Sequence, residues 1–127
     1  MNPYDDIEEV DELPRPPRKE IPVADRELLE LAARALGAQF EEVDGEGYGD
    51  LHFEDGSTVF AWNSLVHSDD TFNLQVDLSL HVKVCRRIIM VEMRDVGDDI
   101  TEPVGADRRA ATRRAVTRAA AAIGKAK

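Results

Sequence analysis

The sequence predicts an α+β domain in which helices cover a small antiparallel or mixed sheet, an α-β-α sandwich, behind a disordered N-terminal arm. Three observations predict it. Residues 25–37 and 107–124 carry apolar and alanine-rich faces at helical spacing. Short runs of β-forming residues lie between them, separated by Asp-Gly and Glu-Gly pairs that favour turns. Ahead of both, residues 1–24 hold five of the six prolines and a dense set of acids, a composition that defeats continued helix or central strand. The 127 residues suffice for one domain with its own core, assigned here to residues 25–127.

The arm contains Asp5, Asp6, Glu8, Glu9, Asp11 and Glu12, which repel one another, with Ile7, Val10 and Leu13 spaced three apart. The ordinary reading is a solvated tail. The functional alternative is an acidic peptide that becomes a short amphipathic helix on a basic partner. The first helix starts near Asp25, an N-cap residue type, and runs through Leu28, Leu29, Leu31, Ala32, Ala35 and Leu36 to Gly37, a left-handed stop. Strands follow over residues 40–43, 48–54 and 58–62, with Asp55-Gly56 as the hairpin turn between the last two.

Residues 72–84 carry two signals. Phe72, Leu74, Val76, Leu78, Leu80, Val82 and Val84 alternate with polar residues, which predicts a long half-buried strand. The preceding Ser68, Asp69 and Asp70 instead resemble a capped helix start, and helical spacing sorts the same apolar residues into two i,i+4 rows. Ile88–Met93 is an apolar run typical of a central strand, and residues 95–105 read as a loop. The final helix spans about Asp107 to Ile123. Thr112, Ala115, Val116, Ala119, Ala120 and Ile123 fall on one side, arginines fall around the rest, and Gly124 ends it.

Charge is sorted along the chain. The net charge is −10, yet residues 1–60 hold 17 acids against 5 bases, while residues 106–127 hold 1 acid against 7 bases. Bulk negative charge opposes phosphate backbones, so no direct nucleic-acid binding is expected. Cys85 is the lone cysteine, which gives no internal disulfide, and its neighbours Val82, Val84 and Ile88 predict a buried thiol. No apolar run reaches the roughly 18 residues of a membrane span, and the acidic N-terminus lacks the pattern of a secretory signal. The expected location is the cytoplasm, with no membrane partner.

Catalytic chemistry finds no constellation. His52, His67 and His81 lie at no short ligand spacing, so neither metal nor cofactor is expected. The G-E-G-Y-G run at residues 45–49 lacks a P-loop lysine and reads as a turn. No nucleophile elbow occurs, and paired acids such as Asp69-Asp70 are common in so acidic a chain. Binding is the remaining class, and an enzyme ranks last. Its candidate residues are Trp62 and Asn63 at a strand end, Asp69 and Asp70, and Arg109, Arg113, Arg114 and Arg118 on the last helix. Guanidinium forks suit phosphates and carboxylates. Each has an ordinary alternative: core packing for Trp62, helix capping for the acids, and a solubilising or internally paired face for the arginines.

Two stretches carry a resemblance. Trp62-Asn63-Ser64-Leu65 precedes Asp69-Asp70, and Ala111-Thr112-Arg113-Arg114-Ala115-Val116 precedes Arg118-Ala119-Ala120-Ala121-Ala122-Ile123-Gly124. This combination resembles the NinX-like phage accessory proteins, related to the phage ABA-sandwich domain, with W-N-P-L, D-D and a closing A-T-R-R-A-I-x-R-A-A-A-E-I-G. It covers roughly residues 25–124. Ser64 stands in place of the family's proline and Ala122 in place of its glutamate. The resemblance implies a helix over residues 69–80 and a phage role in host takeover or counter-defence, with no catalytic residues to transfer. The leading expectation is an inhibitor that meets a host defence protein through its acidic surface. The alternative is a sponge for a small anionic cyclic nucleotide, held by Arg113, Arg114, Arg118 and Trp62. The alanine-rich last helix suits packing on its own sheet or, in a homodimer, on a second copy.

Overall fold

The computed structural model describes residues 17–94 and 96–127. The acidic run and the Ile7, Val10, Leu13 spacing lie outside the described residues. The elements are α1 (Val23–Ala35), β1 (Ala38–Val43), β2 (Tyr48–Phe53), β3 (Thr58–Trp62), α2 (Ser68–Asp77), β4 (His81–Val84), β5 (Ile88–Glu92), β6 (Ile100–Pro103) and α3 (Arg108–Ala126). The α+β class holds and every paired strand is antiparallel, but the strands divide between two sheets, β1-β2-β3 and β4-β5-β6.

The ordered chain begins earlier than residue 25. Lys19 forms an isolated parallel bridge with Glu46, Ile21 is buried in the core, and α1 starts at Val23 behind Pro22. Proline suits that position because its missing N–H would find no helical partner there. Asp25 therefore sits in the first turn of α1 rather than capping it. Gly37, at φ +79°, reverses the chain directly into β1.

The ambiguity over residues 72–84 resolves into helix and then strand. On α2 the row Leu74 and Leu78 turns inward, while Phe72 and Val76 remain exposed. The helix stops because Ser79 takes a left-handed φ of +53° and Leu80 N–H donates to the Gln75 carbonyl at 2.9 Å. The alternation then counts for four residues, as β4. Residues 100–103, expected as loop, form β6 against β5. Edge strands of four residues leave little sequence signal.

Two cores share α3. Val116 and Ala120 pack with Leu29, Ala32, Leu51, Trp62 and Leu74 in one, and Ala111, Ala115 and Ala119 pack with Ile89, Val91 and Met93 in the other. The i,i+4 rows explain this, since Ala111–Ala115–Ala119 and Val116–Ala120–Gly124 are adjacent stripes on one helix. Gly124 does not end α3, which continues to Ala126. A Cβ there would strike the Leu31 carbonyl of α1, so glycine marks the closest approach of the two helices. Lys127 closes this end: Arg34 donates to its carbonyl at 2.6 Å, and its ammonium donates to the Ala35 carbonyl at 2.7 Å.

Candidate functional site

The loop between β3 and α2 joins the stretches singled out in the sequence. Trp62 is only 3% exposed and meets Phe40 edge-on at a ring separation of 6.0 Å. Asn63 is also buried. Its side-chain amide donates to the Gly47 carbonyl at 2.8 Å, and its oxygen accepts from Leu65 N–H at 3.0 Å. One Asp70 oxygen accepts from Asn63 N–H at 2.9 Å and lies 3.1 Å from His67 Nδ1. The residue preceding α2 is thus His67, and Asp70 reaches back from the first turn in place of a cap from Ser68 or Asp69. Thr71 donates to the Ser64 carbonyl at 2.6 Å.

The loop is locked to α3 by a fully buried hydroxyl pair, Ser64 and Thr117, at 2.8 Å. Arg113 Nε donates to the Leu65 carbonyl at 3.1 Å, and its fork reaches Ser68 Oγ at 3.3 Å. Ser64, where the resembled family has proline, is therefore a working hydrogen-bond partner of the last helix.

The arginines of α3 do not converge. Arg114 pairs with Asp25 at 2.9 Å, and Arg118 bridges the Thr101 carbonyl and Glu102, both at 2.8 Å. Each ties α3 to a different neighbour. With Trp62 buried and Arg114 and Arg118 so occupied, the four residues expected to hold a cyclic nucleotide do not form one site. Asp69 is exposed on the first turn of α2.

Arg109 lies elsewhere. It lines a groove of about 350 Å³ between α2, the end of β4 and the start of α3, with Arg108 and Arg113 on the basic side and Phe72, Val84 and Thr112 supplying apolar surface. Phe72 is 63% exposed. Arg108 also donates to the Arg86 carbonyl at 3.3 Å, which draws the Arg86-Arg87 turn to the same end of the molecule. Among the described residues none of these five arginines makes a salt bridge. Phe72 and Val84 were missed as surface residues because alternation placed them with the core. The signal was present: only one of the two helical rows can face inward.

Cys85, expected buried, is exposed beside Val84 in the turn to β5. A second cleft, of about 300 Å³, includes His81, Glu92 and Arg94. There Glu92 lies 2.8 Å from Lys83 and 2.9 Å from His81. The Lys83 ammonium holds the Glu92 carboxyl below its ordinary range, and Glu92 raises Lys83 in return.

The acids of the first sheet are the other concentration of charge. Residues 41–55 contain seven acids and neither lysine nor arginine. Glu41 and Asp50 are direct cross-strand partners on one face, and Asp44, Glu46, Glu54 and Asp55 occupy the two hairpin turns. Like charges placed opposite each other disfavour a sheet by a fraction of a kcal/mol up to about 1. His52, 3.0 Å from Glu41, and Ala61 N–H, which donates to Asp50, relieve part of this. Phe60, on the outer strand of this sheet, is 74% exposed. No helix among the described residues is long and apolar enough to cross a membrane. Compared with family models, curated proteins and solved structures, the chain finds no match in any of the three.

Proposed function

We propose that this is a phage-encoded binding protein acting in host takeover or counter-defence, and that it presents the acidic face of the first sheet to a basic surface of a host defence protein. The observation that carries the reading is the density of acids over residues 41–55 on an antiparallel sheet: Glu42 and Asp44 are paired with Arg26 and Arg18, and the other five have no lysine or arginine partner among the described residues. Carboxylates gathered at some cost to sheet stability favour encounter with a counter-charged surface and deter nucleic acid. The exposed Phe60 adds an apolar anchor of the type that dominates interface energies. The phage setting rests on the resemblance carried by the β3–α2 loop and α3. Those two stretches touch where Arg113 donates to the Leu65 carbonyl, a contact between positions that both motifs contain.

The test is recovery of a host partner by the wild-type chain and by an E41K/E54K variant, at low and high salt, with efficiency of plating measured on hosts bearing defined defence systems. The expected result is a salt-sensitive partner lost in the variant, together with loss of protection. Equal recovery by the variant, or no defence system affected, refutes the reading.

A further inference from the structure

We propose that the groove between α2 and the start of α3 is the docking site for this chain's own N-terminal segment, residues 4–13. The inference is independent of the acidic-sheet reading, since it uses a different face and a different ligand. The groove combines exposed apolar surface with unshared positive charge: Phe72 and Val84 are exposed, and Arg108, Arg109 and Arg113 line it with them, without a carboxylate partner among the described residues. An unpartnered patch of this kind calls for a ligand that is both apolar and acidic.

Residues 4–13 have that composition. Ile7, Val10 and Leu13 recur every third position and fall within about 120° of a helix surface, while six acids fall at Asp5, Asp6, Glu8, Glu9, Asp11 and Glu12. The carboxylates suit the three arginines that line the groove, and the apolar side chains suit its exposed Phe72 and Val84.

Lys19 is fixed beside the first hairpin, where its N–H donates to the Gly45 carbonyl at 2.9 Å. It shares a cleft with Asn63, Leu65 and Val66, and the carbonyl of Leu65 holds Arg113 of the groove. Lys19 thus lies at the β3–α2 loop, and Ser68, at the end of that loop, lines the groove. Five residues, 14–18, separate the segment from Lys19, and a run that holds Pro14, Pro16 and Pro17 can span about 15 Å at roughly 3.1 Å per residue.

Cys85 makes the proposal directly testable, because the chain's one thiol is exposed next to Val84. A nitroxide is attached to Cys85 of the full ¹⁵N-labelled chain, and amide signals of residues 4–13 are compared before and after the label is reduced. At low salt the expected result is a halving or more of those signals by the nitroxide, independent of protein concentration. The effect should vanish in F72D and in I7D/V10D, and fade at high salt as screening shortens to a few ångströms. No broadening at low salt overturns the proposal, as does broadening that survives F72D. Broadening of ¹⁵N chains by nitroxide carried on separate, isotopically unlabelled chains assigns the segment to a second copy and overturns docking within the chain. To control for the label, amide shifts of Gln75 and Thr112 are compared between unlabelled wild type and I7D/V10D. Identical shifts also overturn it.

Discussion

Replacing Gly124 by alanine separates two opposing effects by sign. Helix propensity alone favours the change, because alanine inside a helix is better than glycine by up to about 1 kcal/mol. Packing opposes it. The new Cβ would fall onto the Leu31 carbonyl oxygen, 2.8 Å from the carbonyl carbon and 3.1 Å from Ala35 N. Comfortable carbon contacts lie at about 3.5–4.0 Å, and the obstacle is backbone, which no rotamer change can move. α1 and α3 must therefore part, along an interface that buries Ala32, Ala35, Ala120 and Ala121. Overpacking costs about 1–3 kcal/mol and occasionally more, and a backbone clash belongs at the upper end. The net expectation is a loss of about 2 kcal/mol, or a fall in Tm of roughly 5–10 °C for a chain of this size. Urea unfolding followed by circular dichroism should show a lower midpoint with an unchanged slope. A midpoint equal to or above wild type would refute the close approach of these helices.

Other expectations follow from individual contacts. T117V leaves the buried Ser64 hydroxyl without its partner and should cost about 1–3 kcal/mol, whereas S64A/T117V should recover much of that loss; additive losses in the double mutant would argue against the pair. N63A removes both side-chain hydrogen bonds of the β3–α2 loop and should destabilise the fold by about 2 kcal/mol in chemical denaturation. Glu92 is depressed by Lys83, so its contribution to stability is present above the ordinary glutamate range and is lost as pH falls through its lower folded value. NMR titration of the folded chain should place Glu92 below the exposed glutamates, and K83M should move it upward; no movement would show that Lys83 is not the cause. Cys85 should react with a maleimide in native buffer as fast as in denaturant, and strong protection would contradict its exposure.

Local periodicity made the helices and most strands legible, and tertiary context decided what was not. β3 falls on the expected residues 58–62, and Gly37 ends α1 as expected. Gly124 carries the same residue type for a different reason: its neighbour is another helix, which no local pattern reveals. Residues 72–84 were ambiguous because alternation in an apolar-rich stretch satisfies both periods, and the break rests on one serine in a left-handed conformation, a state sequence seldom advertises. Cys85 was expected inside because its neighbours are aliphatic, yet it lies just past β4 in the connection to β5 and is exposed. For the candidate site, the residue types were legible and their convergence was not. Asn63 and Asp70 meet within one loop, and Arg113 reaches that loop at Leu65 from a helix far along the chain, while Arg114 and Arg118, one turn apart on that helix, serve different neighbours.

The sharing of α3 by both cores constrains how the protein comes into being. All six strands precede this helix in the chain; the second sheet relies on its Ala111–Ala115–Ala119 stripe for cover, while the other stripe packs on α1, which lies against the first sheet. During synthesis the second sheet cannot bury its apolar side until residues 108–126 have been made. A nascent chain halted before that point leaves that sheet and one flank of α1 uncovered together, a state prone to aggregate or be degraded. Completion of both halves is therefore tied to the same helix.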